Sequence, residues 1–372
     1  MFKEATSIDF KETVDFIRTT YDTEDFIPLH APYFDNREKE VVCECIDSTF
    51  VSSVGQCVVD FENKIAEFCG VKRAVACVNG TNALHIALKI NGIKEGDKVI
   101  TQPLTFIATA NAIKYCNAEP IFVDVDRDTI GLSPEKLESY LKNHNDIKAV
   151  VPMHTFGHPC RIDEIRQICD KYGVKLVEDC AESLGSFYKG IHTGNWAEGS
   201  AISFNGNKVI TTGGGGMLLF NDENLANHAK HLTTQAKIPH KWEFRHSEIG
   251  YNYRMPNLNA ALGLAQFEKL PRLLEEKRKL ASKYREFFGE KFVDEPKGAK
   301  SNFWLQAILL NDRTERDEFL TYTNDNGVMT RPCWCLMNEL DMFKNCECGD
   351  NLENAKWIEN RLVNIPSGVH HI

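Results

Sequence analysis

Apolar runs of strand length alternate with stretches of helical periodicity from about residue 73 onward. Each apolar run is followed closely by a segment whose apolar residues lie three and four positions apart. The predicted strands are residues 73–80, 97–103, 119–126, 147–157, 174–183 and 199–204, and the predicted helices between them are residues 81–92, 105–116, 133–143 and 161–173. Because apolar strands separated by helices form parallel sheets covered on both faces, the sequence predicts an α/β fold.

The alternation fades after residue 222, and helical stretches flank the α/β region. The N-terminal residues predict a short amphipathic helix, whose apolar side carries Phe10, Val14, Phe16 and Ile17. A long helical stretch covers residues 257–289, and we expect Pro271 to break or bend it. These patterns divide the chain into an N-terminal helical extension (1–30), a large domain (31–245) and a smaller C-terminal domain (246–372).

Composition and charge narrow the class of protein. The 372 residues are 42% hydrophobic and 26% charged, as is typical of a globular protein with one large and one smaller domain. The net charge of −10 argues against broad contact with nucleic acid, which needs clustered Lys and Arg. No apolar run approaches the length of a membrane span, and the acidic N-terminus lacks the apolar core of a signal peptide. We therefore expect a cytoplasmic protein.

Thirteen cysteines raise the question of disulfides or a metal site. An odd count in a long chain without an export signal argues against a disulfide framework. One C-x-C…C-x-C pattern is formed by Cys333, Cys335, Cys346 and Cys348. Structural zinc sites usually separate paired ligands by two to four residues, so free thiols are the better interpretation. No metal site is predicted.

Residues that can carry chemistry follow the predicted strands, at the edge where open α/β sheets bind ligands. The sequence "NGT" at 79–81 ends one strand and begins a helix, so its N–H groups and the Thr81 hydroxyl face a bound anion. The other candidates after strand ends are Phe106, Asp179, Glu182, Ser203, Asn205 and Lys208. An anion site, a flat apolar ring, a carboxylate and an isolated lysine together match the needs of pyridoxal phosphate (PLP).

Each candidate has a role in that interpretation and a plainer alternative. Asp179 would keep the PLP ring nitrogen protonated, or it is only a turn residue. Phe106 alone is more typical of a core residue. Lys208 would bond covalently to PLP and move protons, or it is a solvated loop lysine or a phosphate ligand. A Walker motif is absent because Val209 follows the lysine, and the run of glycines does not fit G-x-G-x-x-G.

The sequence resembles the DegT/DnrJ family of nucleotide-sugar aminotransferases from about "PYFDNREKEVV" to "TRPCW". "EDCAESLGSFYKG" resembles the family's segment with the ring-nitrogen aspartate, and "SFNGNKVITTGGGGM" resembles its segment with the covalent lysine. The resemblance implies PLP fold type I, with a mostly parallel seven-stranded sheet and a smaller C-terminal α/β domain. It implies catalytic roles for Asp179 and Lys208. The implied cofactor contacts are Gly80, Thr81, Phe106, Asp179, Glu182, Ser203, Asn205, Lys208 and Asn252, with Glu182 standing where the family often has Gln or His.

The resemblance also implies a homodimer whose active sites lie at the subunit interface. "GYNYRMPNLNAALGLAQ" resembles the segment that crosses to the neighbouring subunit, where Asn252 reaches the cofactor phosphate. "TRPCW" resembles the lining of the nucleotide-sugar pocket. The implied substrate contacts are Tyr251, Arg254, Arg331 and Trp334. The family usually continues into a final helix after the segment that resembles "NIPSGVHHI", and the sequence departs from the family there.

Details such as "FVSSVG" and "TTQAK" resemble enzymes that aminate C4 of a 4-keto-6-deoxy sugar nucleotide derived from N-acetylglucosamine, on the routes to bacillosamine and legionaminic acid. The resemblance implies L-glutamate as amino donor, a UDP- or GDP-linked sugar as acceptor, and ping-pong kinetics. Sugar dehydratases of the same fold usually carry histidine in place of Lys208. A non-catalytic PLP-binding regulator is disfavoured by the complete set of Lys208, Asp179 and Ser203. A third alternative is another phosphate-binding α/β protein, in which Lys208 has no covalent role.

Overall fold

The computed structural model describes residues 7–369. Its α-helices are α1 (Phe10–Tyr21), α2 (Asn36–Asp47), α3 (Gln56–Cys69), α4 (Gly80–Ile90), α5 (Ile107–Tyr115), α6 (Pro134–Leu141), α7 (Ile162–Tyr172), α8 (Glu223–Thr233), α9 (Asn257–Phe288), α10 (Arg313–Asp325) and α11 (Glu353–Glu359). Its strands are β1 (Arg73–Cys77), β2 (Lys98–Thr101), β3 (Glu119–Phe122), β4 (Ile147–Val151), β5 (Lys175–Asp179), β6 (Phe187–Tyr188), β7 (Ile191–His192), β8 (Gly199–Ser203), β9 (Gly216–Phe220), β10 (Lys237–Ile238), β11 (Arg245–His246), β12 (Ala299–Lys300), β13 (Gln306–Leu309), β14 (Arg331–Pro332) and β15 (Leu362–Ile365). Every predicted strand is present and ends earlier than predicted.

A seven-stranded sheet in the order β1-β9-β8-β5-β4-β2-β3 forms the centre of the fold. The strands β8, β5, β4, β2 and β3 pair in parallel, whereas β9 lies antiparallel between β1 and β8. The prediction of a mostly parallel seven-stranded sheet is confirmed. Helices connect most of the parallel strands, so the carboxyl ends of these strands lie along one edge.

Both faces of this sheet are buried, and alternate residues of each strand enter different cores. In β1, Ala74 and Ala76 pack into a core shared with α3 and α9, whereas Val75 and Cys77 pack into a core shared with α4 and α8. The strands β8 and β9 alternate in the same way. This two-sided burial explains why the strands read in the sequence as nearly continuous apolar runs.

The N-terminal helix α1 is amphipathic, as its pattern predicted. Val14 and Ile17 are buried, and the partly buried Phe10 and Phe16 pack against the same core. The ring of Phe10 meets that of Phe319 in α10 edge-on, with centroids 5.4 Å apart. The predicted N-terminal extension therefore packs on the C-terminal part of the chain, and residues 1–6 of that extension lie outside the described residues.

The long helix α9 is a single helix of 32 residues that runs through Pro271. The break predicted at Pro271 was wrong, and the bend given as its alternative stays a prediction. A proline inside a helix removes one backbone hydrogen bond and crowds the preceding turn, at a cost of about 3 kcal/mol. Leu270 and Leu273, on either side of it, are both buried in the core shared with α3. Burial along the whole helix outweighs the local cost of the proline.

The C-terminal part of the chain contains a small antiparallel sheet, in the order β13-β15-β14, on which α10 packs. A second small sheet, β12-β6-β7, pairs this part of the chain with the hairpin that follows β5. The domain boundaries at residues 30 and 245 stay predictions. Among residues 7–369, no helix is long and apolar enough to cross a membrane.

Candidate active site

Three strand ends meet at the carboxyl edge of the main sheet. Ser203 and Cys77, the last residues of β8 and β1, both pair with Gly216 at the start of β9. Asp179, the last residue of β5, pairs with Ala201 of β8. The structure therefore brings together the loops that carry most of the predicted site residues.

Two turns approach each other closely at the start of α4. A methyl group added at Gly80 would lie 2.8 Å from Cβ of Ser203, and one added at Gly216 would lie 2.4 Å from the carbonyl oxygen of Asn79. Only glycine therefore fits at both positions. The N–H groups of Gly80 and Thr81 lie in the first turn of α4, where no partner exists within the helix. Together with the Ser203 hydroxyl, these groups form a cradle that fits a phosphate.

Asp179 is a buried carboxylate with two hydrogen-bond donors. Its Oδ2 accepts from the Thr109 hydroxyl at 2.7 Å, and its Oδ1 accepts from the backbone N–H of Ala181 at 3.1 Å. Burial raises the pKa of the Asp179 carboxyl, and the hydrogen bonds from Thr109 and Ala181 oppose this rise. A carboxylate held in this way can stabilise a protonated nitrogen, which is what a PLP ring requires.

Lys208 lies in the turn after β8, where its backbone N–H donates to the carbonyl of Asn205 at 3.0 Å. Its Nζ lies 3.5 Å from Oε1 of Glu182 and 3.9 Å from the centre of the Trp304 ring. The side chain is only 13% exposed. Lys208 is therefore not a solvated loop lysine, since its ammonium lies between a buried carboxyl group and an aromatic face.

Glu182 is buried beside Lys208, in the turn after β5. Its Oε2 accepts from the backbone N–H of Phe156 at 2.8 Å. Burial raises the pKa of Glu182 to about 7, and Lys208 and the Phe156 N–H oppose this rise. The Glu182 carboxyl can therefore gain or lose a proton near neutral pH, which an amide at this position cannot do.

The stability of the cofactor-free protein is expected to depend on pH through Glu182. Because its folded-state pKa is raised from 4.5 to about 7, the folded protein binds more protons than the unfolded chain in this range, and its stability falls as pH rises. E182Q keeps the acceptor for Phe156 but does not titrate. The free energy of unfolding of E182Q in urea, relative to wild type, should therefore increase from about pH 5 to about pH 8.

The matched control for this prediction is E286Q, at an exposed position on α9. Its free energy of unfolding, relative to wild type, should change less between pH 5 and pH 8 than that of E182Q, because the Glu286 side chain is exposed. A difference between E182Q and wild type that does not change with pH would contradict the titration assigned to Glu182.

Phe106 and Trp334 lie side by side although they are far apart in the sequence. Phe106 precedes α5 and is 49% exposed, which the plainer interpretation as a core residue does not explain. Its ring meets Trp334 edge-on at 6.1 Å, and Trp334 also packs on Phe156 at 5.0 Å. Since Phe156 donates to Glu182, these rings extend the site from the lysine towards the C-terminal part of the chain.

The predicted crossing segment lies along the end of β1. Arg254 forms an isolated bridge with Cys77, and its buried Nε has no hydrogen-bond partner among the described residues. Asn252 is exposed and bridges to Thr234. Tyr251 packs on other aromatic rings, with its centroid 5.0 Å from that of His85. The segment borders the phosphate cradle at Arg254, and within residues 7–369 neither Asn252 nor Tyr251 contacts the Lys208 side chain.

Two further predicted residues make local contacts. Arg331 is exposed, and its Nη1 donates to Oδ1 of Asn324 and to the carbonyl of Thr330. Asn205 is exposed, and its Nδ2 donates to Oδ1 of Asn207 at 3.0 Å. Neither side chain contacts Lys208 or Asp179 through these hydrogen bonds. The predicted roles of Asn205 in cofactor binding and of Arg331 in substrate binding therefore stay predictions.

All thirteen cysteines are free in the structure. Within the described residues, Cys335 lies close enough to Glu339 and Glu359 for the three side chains to hold a metal ion together. That cluster includes none of the other cysteines of the C-x-C pattern.

Among the residues of the site that sequence reasoning missed are Thr109 and Trp304. Thr109 holds Asp179, and its place one turn into the helix after Phe106 is a signal that could have found it. Trp304 covers the Lys208 ammonium, but it follows Lys208 by almost a hundred residues and carries no motif.

A family model covers residues 32–371, and it describes the DegT/DnrJ/EryC1/StrS aminotransferase family. The chain belongs to this family. It is therefore a PLP-dependent aminotransferase, and the resemblance inferred from the sequence is confirmed.

Individual members of the DegT/DnrJ family match almost the whole chain. GDP-perosamine synthase of Escherichia coli O157:H7 is 39% identical over 345 residues, which cover 92% of this chain and 93% of that protein. The putative pyridoxal phosphate-dependent aminotransferase EpsN of Bacillus subtilis is 38% identical, over 85% of this chain and 84% of that protein. The aminotransferase TlmJ of Streptoalloteichus hindustanus is similar in structure, with a TM-score of 0.87 and 27% identity over 92% of this chain and 93% of that one. These similarities confirm the predicted aminotransferase fold.

Proposed function

We propose that the protein transfers an amino group from L-glutamate to C4 of a 4-keto-6-deoxy nucleotide sugar. The observation that carries this proposal is the site at the sheet edge, where Lys208, Asp179 and a phosphate cradle lie on adjacent loops. PLP supplies an electron-accepting ring when it is bound. Residues of the chain would bind the cofactor, position its ring and transfer the protons.

The residues of the site divide these tasks. Gly80, Thr81 and Ser203 would bind the cofactor phosphate, and Phe106 would lie against the ring. Asp179 would hold the proton on the ring nitrogen, because a carboxylate accepts that N–H and balances its charge. Lys208 would bond to the cofactor and, once released, move a proton to and from the substrate carbon.

The identity of the acceptor is supported by relatives. GDP-perosamine synthases of Escherichia coli O157:H7, Caulobacter vibrioides and Vibrio cholerae are 39%, 37% and 35% identical over 92% of this chain. A structural neighbour, PseC of Helicobacter pylori, is described as an aminotransferase of pseudoaminic acid biosynthesis and is 25% identical with a TM-score of 0.85. The names of the three synthases support a GDP-linked sugar as acceptor, and a UDP-linked sugar stays a prediction from the sequence. The routes to bacillosamine and legionaminic acid, and a cytoplasmic location, stay predictions.

A two-stage assay tests the proposed function. The purified protein with PLP should release 2-oxoglutarate from L-glutamate in an amount equal to its sites, and then consume a 4-keto-6-deoxy sugar linked to GDP or UDP. Turnover with only one of the two nucleotides identifies the acceptor. Release of 2-oxoglutarate without turnover of either sugar would contradict the acceptor class. No release would favour the non-catalytic PLP-binding regulator.

The proposed assembly is a homodimer in which Asn252 of one copy reaches the cofactor phosphate of the other. Exposed apolar side chains in two short stretches of the chain support a second copy as a partner, since burying them in an interface would be favourable. They include Phe50, Val54, Trp242, Phe244 and Ile249.

Mixing two inactive variants should restore activity if the sites are shared. In a mixed dimer of K208A and N252A, one of the two sites receives an intact Lys208 and an intact Asn252. Activity of the mixture should therefore exceed that of either variant alone, in proportion to the mixed dimers formed. K208A mixed with a second lysine-deficient variant, K208R, is the control. No gain over that control would contradict the shared site.

A further inference from the structure

Residues 301–304, here called the 301–304 segment, reach the site from the C-terminal part of the chain. Its last residue, Trp304, is buried and presents its ring face to the Lys208 ammonium at 3.9 Å. The indole N–H donates to the carbonyl of Asn207 at 2.7 Å. The ring is therefore fixed both at its edge and along its face, next to the turn that carries Lys208.

The same segment is tied to the turn that carries Glu182. The side-chain amide of Asn302 donates to the carbonyls of Glu182 and Leu184 at 2.8 and 2.9 Å, and its Oδ1 accepts from the backbone N–H of Trp304 at 2.8 Å. Between them, Phe303 has a positive φ of 49°, which bulky residues rarely adopt. Such a conformation persists only where the surrounding contacts enforce it, as they do here.

A buried lysine holds this segment from behind. The Nζ of Lys277 in α9 donates to the carbonyl of Trp304 at 3.1 Å and to that of Ser367 at 2.8 Å. Lys277 is 1% exposed, and among residues 7–369 its Nζ bonds to backbone carbonyls and to no carboxylate. A buried lysine that has no carboxylate partner is costly to charge, so these carbonyl contacts are the evident structural reason for a lysine at this position.

We propose that Trp304 holds the Lys208 ammonium beside the cofactor site whenever the lysine is not bonded to the cofactor, and that Lys277 is a positioning residue that fixes Trp304. The inference rests on the proposed function, because it takes Lys208 as the covalent lysine. An ammonium over an indole face is attracted by the ring quadrupole, and the attraction grows when water is excluded. Trp304 also limits the directions in which the long side chain can turn.

Chemical labelling of Lys208 in the full-length, cofactor-free protein tests the role of Trp304. Acetic anhydride reacts only with the neutral amine, so loss of the ring attraction should raise the rate at Lys208 by about two- to tenfold in W304L. Rates are read from peptide mass spectra relative to exposed lysines, with W357L as the control for loss of a tryptophan elsewhere. An unchanged rate in folded W304L overturns the proposal.

Fluorinated tryptophan separates ring attraction from simple covering. Fluorine weakens the attraction of the indole face for a cation while leaving its shape nearly unchanged. The labelling rate at Lys208 should therefore rise stepwise with one, two and three fluorine atoms per ring in the wild type, and show no trend in W304F. If the labelling rate in the wild type does not rise with the number of fluorine atoms, Trp304 only shields Lys208 from the reagent, and the proposed interaction is overturned.

Lys277 is tested with K277M, and with K279M as the matched control at an exposed position of the same helix. Burial lowers the pKa of Lys277 to about 7, so at about pH 8 its removal changes packing more than charge. K277M should raise the labelling rate of Lys208 as W304L does, and K277M/W304L should add nothing further. Loss of thermal stability in K277M without a change in labelling overturns the positioning role. If K277M does not fold, K277R, which keeps donors for both carbonyls, should label as wild type does.

Addition of PLP separates this inference from the proposed function. PLP should protect Lys208 of the wild type from acetic anhydride, because the lysine is then bonded to the cofactor. Absence of protection contradicts the covalent role of Lys208. Protection together with equal labelling of cofactor-free W304L and wild type contradicts only the role of Trp304.

Discussion

K208R is expected to abolish amino transfer, lowering kcat by about 10³-fold or more, because arginine neither bonds covalently to PLP nor exchanges protons near neutral pH. The substitution keeps the positive charge next to Glu182. If Lys208 were a phosphate ligand only, arginine would replace it with a small effect. The measurement is the release of 2-oxoglutarate from L-glutamate, together with the absorbance band that PLP acquires when it bonds to a lysine.

The control is K297R, which makes the same change at an exposed lysine in a turn. It should keep both the absorbance band and full activity. K208A completes the test, since it removes charge and amine together and should be as inactive as K208R. Substantial activity in K208R, with the band lost, would return Lys208 to the role of a phosphate ligand and remove the basis of the proposed reaction.

Much of this fold and part of this site could be predicted from the sequence because local patterns encode them. The strands are buried on both faces, so each appears as an apolar run, and Asp179 and Ser203 stand at the ends of two of these runs. The predicted strands extend too far at their C-terminal ends, because the loops that follow them are also buried. Phe156, beyond β4, is one such residue. The break predicted at Pro271 does not occur, because residues on both sides of the proline are buried against distant parts of the chain, which the local sequence does not show.

The rest of the site depends on contacts between distant parts of the chain. Glu182 is identified by a motif, but its raised pKa comes from burial, which the neighbouring Lys208 opposes only in part. Trp304 meets Lys208 only because the 301–304 segment contacts both the turn after β8 and Lys277 of α9. No periodicity or spacing in the sequence encodes those distances. The contacts that fix the Lys208 side chain can therefore be identified only from the three-dimensional structure.

D179N is expected to lower kcat/KM by about 10²- to 10⁴-fold, because an amide cannot balance the charge of a protonated ring nitrogen. An asparagine also turns its NH₂ towards one of the two donors, Thr109 or Ala181, that Asp179 now accepts from. PLP should still bind and still bond to Lys208, since the phosphate cradle is unchanged. Steady-state kinetics and the absorbance of the bound cofactor separate these effects.

T109V provides the graded comparison for D179N. Losing one hydrogen bond to a buried carboxylate should cost about tenfold in kcat/KM. Because that hydrogen bond opposes the rise that burial causes, its loss should raise the pKa of Asp179 further, so the carboxylate is protonated at a higher pH. The acid limb of the pH–rate profile should therefore move to higher pH in T109V and be absent in D179N. A T109V profile that coincides with the wild type would show that another group sets the acid limb, and that Asp179 does not control the protonation of the ring.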